Sequence, residues 1–341
     1  MFRLPGLIYR NKFGLPPPPP PGSFTDKSIL ITGATSGLGF AVALEYVKLG
    51  AKSVTITART QVKGLTAKQA IEVQTGTTGK DIVKVMELDM STFAGTKTFA
   101  DKVKSEVQEI DVVLLNAGIF NTKWKIGEEG YEETIQVSVL STTLLGLLLL
   151  PWMKKVGGGK AHLGFVTSGN HRRVSVKTWP KENILEHFSK EENWPAGNPN
   201  MYGLSKLLVQ YAVREITKLS MSSNGSPEVI VNPMCPGMVK SELARQHKTN
   251  ILTSLAIDAI MTFALKTPEG GARTLLYAAM TTPAENGKHI THYQTEEEYE
   301  LAVEHNILGP EGQQMEAQVW KNICAILGEK VPEVQGMIHP L

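Results

Sequence analysis

Thiols are scarce in this chain: Cys235 and Cys324 are the only two among 341 residues, and neither has partners at a metal-ligand spacing. That scarcity argues against a disulfide-stapled fold and fits a chain kept in a reducing compartment. Cys235 itself reads as a small buried hydrophobe or as a reactive thiol. A dominant charge is missing too. Lys+Arg number 35 and Asp+Glu 33, a net +2 with no dense basic block, so no nucleic-acid partner is expected. The pairs Lys154-Lys155 and Arg172-Arg173 read as solvated faces or loops. Long hydrophobic runs are also absent. The longest, LLGLLLLPW at 144–152, falls short of the ~20 residues of a spanning helix. The stretch MFRLPGLIYRNKFG is too short in apolar residues for a signal peptide. Asn224-Gly225-Ser226 matches a glycosylation sequon, and without a secretory signal it reads as a surface turn. The expectation is a soluble, cytoplasmic chain with no stable membrane insertion, with transient contact through the N-terminal arm left open.

What the chain does have is ordinary core-forming composition, 42% hydrophobic and 20% charged. Residues 15–21, LPPPPPP, are a stiff polyproline II stretch, either a spacer laying the first residues over the domain or a docking ligand. No internal repeat is visible. After Asp26, short β-branched runs (SILITG, SVTITA, KDIVKVMELD, DVVLLNAG, AHLGFVTS) alternate with segments of helical periodicity. The alternation predicts βαβ units, hence a single doubly wound, Rossmann-like α/β domain with a mostly parallel sheet and helices on both faces. We assign 1–25 to an N-terminal arm, 26–290 to this domain, with NGKHITHY as its last strand, and 291–341 to a C-terminal helical extension.

The first strand runs into ITGATSGLG, and a helix follows at once. Gly33, Gly37 and Gly39 allow a tight turn and close backbone approach, and a helix N-terminus offers free N–H groups to a pyrophosphate. With Thr35, Ser36 and Leu38 these residues are expected to hold a dinucleotide. The second strand ends in Thr57-Ala58-Arg59, with no acid to accept bonds from a ribose 2′-hydroxyl. Arg59 suits a 2′-phosphate instead, so the expected cofactor is NADP(H). Further on, Tyr202 and Lys206 lie one turn apart on a helix. An ammonium near a phenol favours the phenolate and lowers its pKa. Ser168 ends the strand GFVTS at the C-terminal edge of the sheet, where α/β sites form.

TGATSGLG, NAG at 116–118, Ser168, YGLSK and PGMVKSEL at 236–243 together resemble the short-chain dehydrogenase/reductases, over about 26–290. The chain also resembles the retinol-dehydrogenase-like branch and fungal biosynthetic-cluster reductases. The resemblance implies that Tyr202 is the general acid/base, that Ser168 orients the carbonyl, and that Lys206 tunes Tyr202 and holds the nicotinamide ribose. It implies that Asp89 meets the adenine amine, and that Asn116, Ala117 and Gly118 back the adenosine side. After the turn at Pro236-Gly237, Val239 and Ser241 would meet the nicotinamide carboxamide. The family habit also implies a homodimer or homotetramer through the helices containing 131–153 and 201–221, although the arm and the tail leave a monomer open.

The family's fourth catalytic residue is an asparagine that perturbs the long central helix and helps position a proton-relay water. Here that position holds Ser138, within TIQVSVLS. A hydroxyl still donates and accepts, so a working relay, a slow enzyme, and loss of redox chemistry all remain open. The loop 169–200, with Trp179 and Trp194, is expected to shape the pocket wall. Residues 238–266 read as a substrate lid or as a plain core helix. His171 reads as catalytic or incidental. The expected function is an NADPH-dependent oxidoreductase interconverting a carbonyl and an alcohol on a medium-sized hydrophobic substrate, in secondary-metabolite biosynthesis. The alternative is a non-redox isomerase, lyase or cyclase that keeps NADP(H) as a structural ligand.

Overall fold

The computed structural model describes residues 4–197, 200–240 and 265–338. In chain order, helix α1 (Leu4–Phe13) precedes β1 (Ser28–Ile31), α2 (Gly37–Lys48), β2 (Ser53–Ala58), α3 (Gln61–Thr75), β3 (Val83–Glu87), α4 (Phe93–Glu106) and β4 (Val112–Leu115). The long helix α5 (Glu133–Val156) follows, then β5 (Ala161–Val166), α6 (Ile184–Ser189), α7 (Met201–Leu219), β6 (Val229–Met234) and α8 (Pro268–Ala278). Helices α9 (Glu296–Val303) and α10 (Pro310–Lys330) form the C-terminal extension.

The six strands make one sheet in the order β3-β2-β1-β4-β5-β6, and every neighbouring pair is parallel. Strand side chains alternate between two cores. Ile29, Ile31, Val112 and Leu114 pack under α2, α3 and α8, whereas Leu30, Val113 and Leu115 pack under α4, α5, α7 and α10. Both faces are therefore covered, which is why β1 (SILI) and β4 (VVLL) are apolar throughout. The order reverses between β1 and β4, and the turns after those strands open the crevice where an α/β sheet binds ligands.

One expected strand is reduced. NGKHITHY lies along β6 and forms a single parallel bridge with it, from Ile290 to Met234, with a further bond from the Gly287 N–H to the Val231 carbonyl at 2.8 Å. The cause lies in β6, where Pro233 has no N–H to give. The side chain of Asn232 takes the Lys288 carbonyl there instead, at 3.0 Å.

The arm and the tail are both packed on the domain. Arg273 of α8 donates to the Pro16 carbonyl at 3.0 Å, holding the proline stretch as a spacer across that helix. Val319, Ile323 and Leu327 of α10 are fully buried in the core they share with α5 and α7. Tyr211 bonds the Asn306 carbonyl, and Arg214 pairs with Glu316 at 2.6 Å. Among the described residues α5 is the one helix long and apolar enough to cross a membrane, and it is mostly buried inside the chain. The faces of α5 and α7 that the resemblance offers to a second copy are largely covered by α4 and α10 of the same chain.

Candidate active site

Three turns at the C-terminal edge of the sheet build the floor of the site. Thr32, just after β1, accepts the N–H groups of Asn116 (3.0 Å) and Ala117 (2.9 Å) on its hydroxyl. The Asn116 amide donates back to the carbonyls of Thr32 (3.0 Å) and Gly33 (3.1 Å). The two turns that flank the switch point are thus stapled together. Gly33 has φ +68°, and a methyl there would lie 2.9 Å from the Ala117 Cα. A methyl on Gly39 would meet the Asn116 amide at 2.6 Å and run into the Gly33 carbonyl. Only glycine permits this close passage.

These residues fit a dinucleotide on a further observation. Ser36 stands at the N-cap of α2 and makes no capping bond. Thr60, Thr92, Asn200 and Thr267 do cap α3, α4, α7 and α8. The first N–H groups of α2, at Gly37, Leu38 and Gly39, are therefore left for an anion. Arg59 follows β2, is exposed, and has no ion pair among the described residues. Asp89, also exposed, already accepts from the N–H (2.9 Å) and hydroxyl (2.7 Å) of Ser91 through one oxygen. Val239 reaches the same region, since its side chain and that of Leu38 both crowd Gly271 of α8. Ser241 and most of the expected lid, 241–264, lie outside the described residues.

Ser168, Tyr202 and Lys206 come together on the β5 and α7 side. The Ser168 hydroxyl lies close enough to the Tyr202 phenol to favour its ionised form. Tyr202 packs against Phe120 with ring centroids 5.1 Å apart, and Lys206 Nζ stands 5.6 Å from the Tyr202 ring centre. Lys206 donates to the Val166 carbonyl at 2.8 Å rather than to the phenol. The expectation that the ammonium lowers the phenol is not met in this state. Burial pushes Tyr202 up to about 12, the nearby Cys235 adds to the rise, and the Ser168 hydroxyl offsets part of it. The same burial pushes Lys206 down to about 8. Desolvation outweighs the pairing for both groups.

Ser138 joins this cluster from α5. Residues Gln136–Ser141 form a π-helical turn inside the helix, a local widening common at functional sites. The Ser138 hydroxyl accepts the Ile119 N–H at 3.2 Å. A methyl on Gly118 would lie 3.4 Å from the Ser138 hydroxyl and 3.7 Å from Lys206 Nζ, so the two groups flank one point.

Three neighbours complete the surroundings, two of which the sequence left open. Buried Cys235 accepts from the Gly169 N–H (3.1 Å) and the Tyr293 hydroxyl (3.1 Å). His171 is fully buried. It donates from Nδ1 to the Ser168 carbonyl at 2.6 Å, which leaves Nε2 to accept from Tyr299 of α9 at 3.2 Å. Burial pushes its pKa down to about 3, so it is a neutral prop behind Ser168, neither an acid/base catalyst nor incidental. Lys266, also buried and pushed down to about 7 by desolvation, sits 3.1 Å from His292.

The loop 169–200 is more ordered than its composition suggests. It contains a 3-10 turn (Gly169–Arg173) and α6, and Leu185 bonds Asn322 of α10 at 3.0 Å. Trp179 packs edge-on against Phe188, and Trp194 lies half-buried on the same core. An open groove of about 560 Å³ runs along this loop, lined by Trp124, Ile126, Tyr131, Glu186 and Glu191 among others. None of Ser168, Tyr202 and Lys206 lines it.

Comparison with known proteins agrees with this geometry. Residues 27–177 match the family model described as short chain dehydrogenase. The short-chain dehydrogenase/reductase ffsI of Aspergillus flavipes is 33% identical over 329 residues, covering 95% of this chain and 92% of its own. The fold is similar to a short chain dehydrogenase from Salmonella enterica, with TM-score 0.56 and 22% identity over 80% of this chain and 96% of that one. It is also similar to a short-chain dehydrogenase from Sphingobium yanoikuyae in complex with NADPH, with TM-score 0.51 and 16% identity over 74% and 83%.

Proposed function

The chain belongs to the short-chain dehydrogenase/reductase family of oxidoreductases, and from that premise we propose that it is an NADPH-dependent carbonyl reductase, or the reverse alcohol dehydrogenase. Its substrate is a medium-sized hydrophobic ketone, aldehyde or secondary alcohol, within secondary-metabolite biosynthesis. The observation that carries the reading is the convergence of Ser168, Tyr202 and Lys206 beside the glycine turn of α2. A nicotinamide cofactor supplies or receives the hydride when bound. NADP(H) is supported by Arg59 at the end of β2, which has no ion pair among the described residues, and by the NADPH complex of the Sphingobium protein.

The chain's own residues divide the remaining work. The uncapped start of α2 would hold the pyrophosphate, and Arg59 would bind the 2′-phosphate. Ser168 donates to the substrate oxygen and fixes its position. Tyr202, held protonated by burial, gives its proton to that oxygen during reduction and recovers it in the reverse direction. Lys206, with its depressed pKa, returns a proton toward Tyr202, and the Ser138 hydroxyl stands in the same neighbourhood by Gly118. Soluble, cytoplasmic residence goes with this proposal.

The test is NADPH oxidation over a panel of ketones, aldehydes and quinones, beside Tyr202→Phe. Turnover should fall roughly 10²–10⁴-fold in the variant. Unchanged turnover of the authentic substrate would remove the mechanism. Product formation without net change in NADPH would favour an isomerase, lyase or cyclase instead.

A further inference from the structure

The segment after β6, Pro236-Gly237-Met238-Val239, has no strand beside it. Apart from the Gly237 N–H, which meets the Cys235 thiol at 3.4 Å, its backbone partners among the described residues come from far away in the chain. Asn11 of α1 is 1% exposed. Its carboxamide oxygen accepts the Met238 N–H at 2.9 Å, and its carboxamide nitrogen donates to the Met238 carbonyl at 3.0 Å. One side chain thus satisfies both backbone groups of one residue, as a ladder partner would. Asn11 is itself held. His292 Nε2 donates to its backbone carbonyl at 3.2 Å, and the neighbouring Arg10 pairs with Glu298 at 3.2 Å.

The other contact on this segment is a parallel bridge between Val239 and Lys266. There the Lys266 N–H donates to Met238 (3.2 Å) and the Lys240 N–H donates to Lys266 (2.9 Å). In extended backbone, successive residues direct their N–H and C=O to opposite sides. Met238 is turned toward Asn11 and Lys266, so Val239 presents its N–H and C=O the other way. Those two groups have no partner among the described residues, and the Val239 side chain packs beside Leu38 at the start of α2.

We propose that Asn11 is a positioning residue for the cofactor. By occupying Met238, it fixes the twist that presents the Val239 backbone pair to the carboxamide at the nicotinamide end. The N-terminal helix is then part of the cofactor site although it touches no cofactor atom. The inference rests on the NADP(H) reading and adds to it a segment outside the matched family region.

The test uses the full-length protein and two ligands, NADPH and adenosine 2′,5′-bisphosphate, which lacks the nicotinamide half. Loss of two buried hydrogen bonds in Asn11→Ala should raise the Kd for NADPH about tenfold. The Kd for the bisphosphate should stay within about twofold. Asn11→Asp keeps the acceptor for the Met238 N–H and loses the donor, so it should fall between wild type and Asn11→Ala. Equal weakening for both ligands would mean general loosening of the fold and would overturn the proposal. Unchanged NADPH binding in Asn11→Ala would overturn it while leaving the cofactor reading intact. A wild-type protein that binds neither ligand would sink both.

Discussion

The Ser138 hydroxyl accepts the Ile119 N–H at 3.2 Å, so the residue that departs from the family pattern is tied to the turn that follows Gly118. It is not a passive gap-filler. It sits within a π-helical turn, 1% exposed, on the same side of Gly118 as Lys206. The serine therefore stands in a widened helix turn and places a hydroxyl near Gly118, in the neighbourhood of Lys206.

Ser138→Ala should accordingly cost about 1–3 kcal/mol of stability, because the Ile119 N–H loses its acceptor in a buried site. Turnover should fall by about tenfold or more if the hydroxyl near Gly118 takes part in proton relay to Lys206. Urea unfolding and steady-state kinetics on one preparation separate the effects. A variant with lowered stability and wild-type kcat would show that Ser138 only braces the turn.

His171 gives a prediction in pH. Its folded pKa is about 3, against about 6.5 when unfolded. Between those values the unfolded chain binds the extra proton, so stability is full above about pH 6.5 and falls as the pH drops toward 3. The slope reaches about 1.4 kcal/mol per pH unit for one such group. His171→Gln removes the titration, so its stability should decline less steeply than wild type between pH 6.5 and 4.5. Parallel curves from chemical denaturation would mean that His171 is not buried neutral.

How much of this was legible beforehand follows from what each feature depends on. The glycine turn, the parallel doubly wound sheet and the Ser168, Tyr202 and Lys206 set rest on local pattern and βαβ spacing. The shortened last strand hung on Pro233, which lies within the sequence of β6 but acts on a segment more than fifty positions later. Asn11 and Met238 are 227 positions apart, and neither residue type advertises a pairing. His171 illustrates a third limit. Its role depends on α9 closing over it, and only burial turned a loop histidine into a neutral prop.

Gly39→Ala tests the turn itself. The added methyl meets the Asn116 amide at 2.6 Å and the Gly33 carbonyl, both of which belong to the staple between β1 and β4. The amide cannot retreat without losing its bond to the Thr32 carbonyl, nor the Gly33 carbonyl without losing the Asn116 amide. NADPH binding should be lost by about 10²-fold or more, at the level of overpacking costs of ~1–3 kcal/mol or higher. Titration by NADPH fluorescence measures it, and near wild-type affinity would show that the turn can open.

Arg59 decides which cofactor the site prefers. It stands exposed at the end of β2 with no carboxylate paired to it among the described residues, and Thr60 behind it is committed to capping α3. A charge-assisted bond to a phosphate is worth roughly 1.5–3 kcal/mol, so Arg59→Ala should weaken NADPH by about 10- to 10²-fold and leave NADH within about twofold. Arg59→Asp should go further, because a carboxylate there repels the 2′-phosphate and accepts from a 2′-hydroxyl, moving the preference toward NADH. Dissociation constants for both cofactors across wild type and the two variants provide the check. If NADPH and NADH weakened together, Arg59 would be supporting the turn rather than reading the ribose, and the preference would have to come from elsewhere in the site.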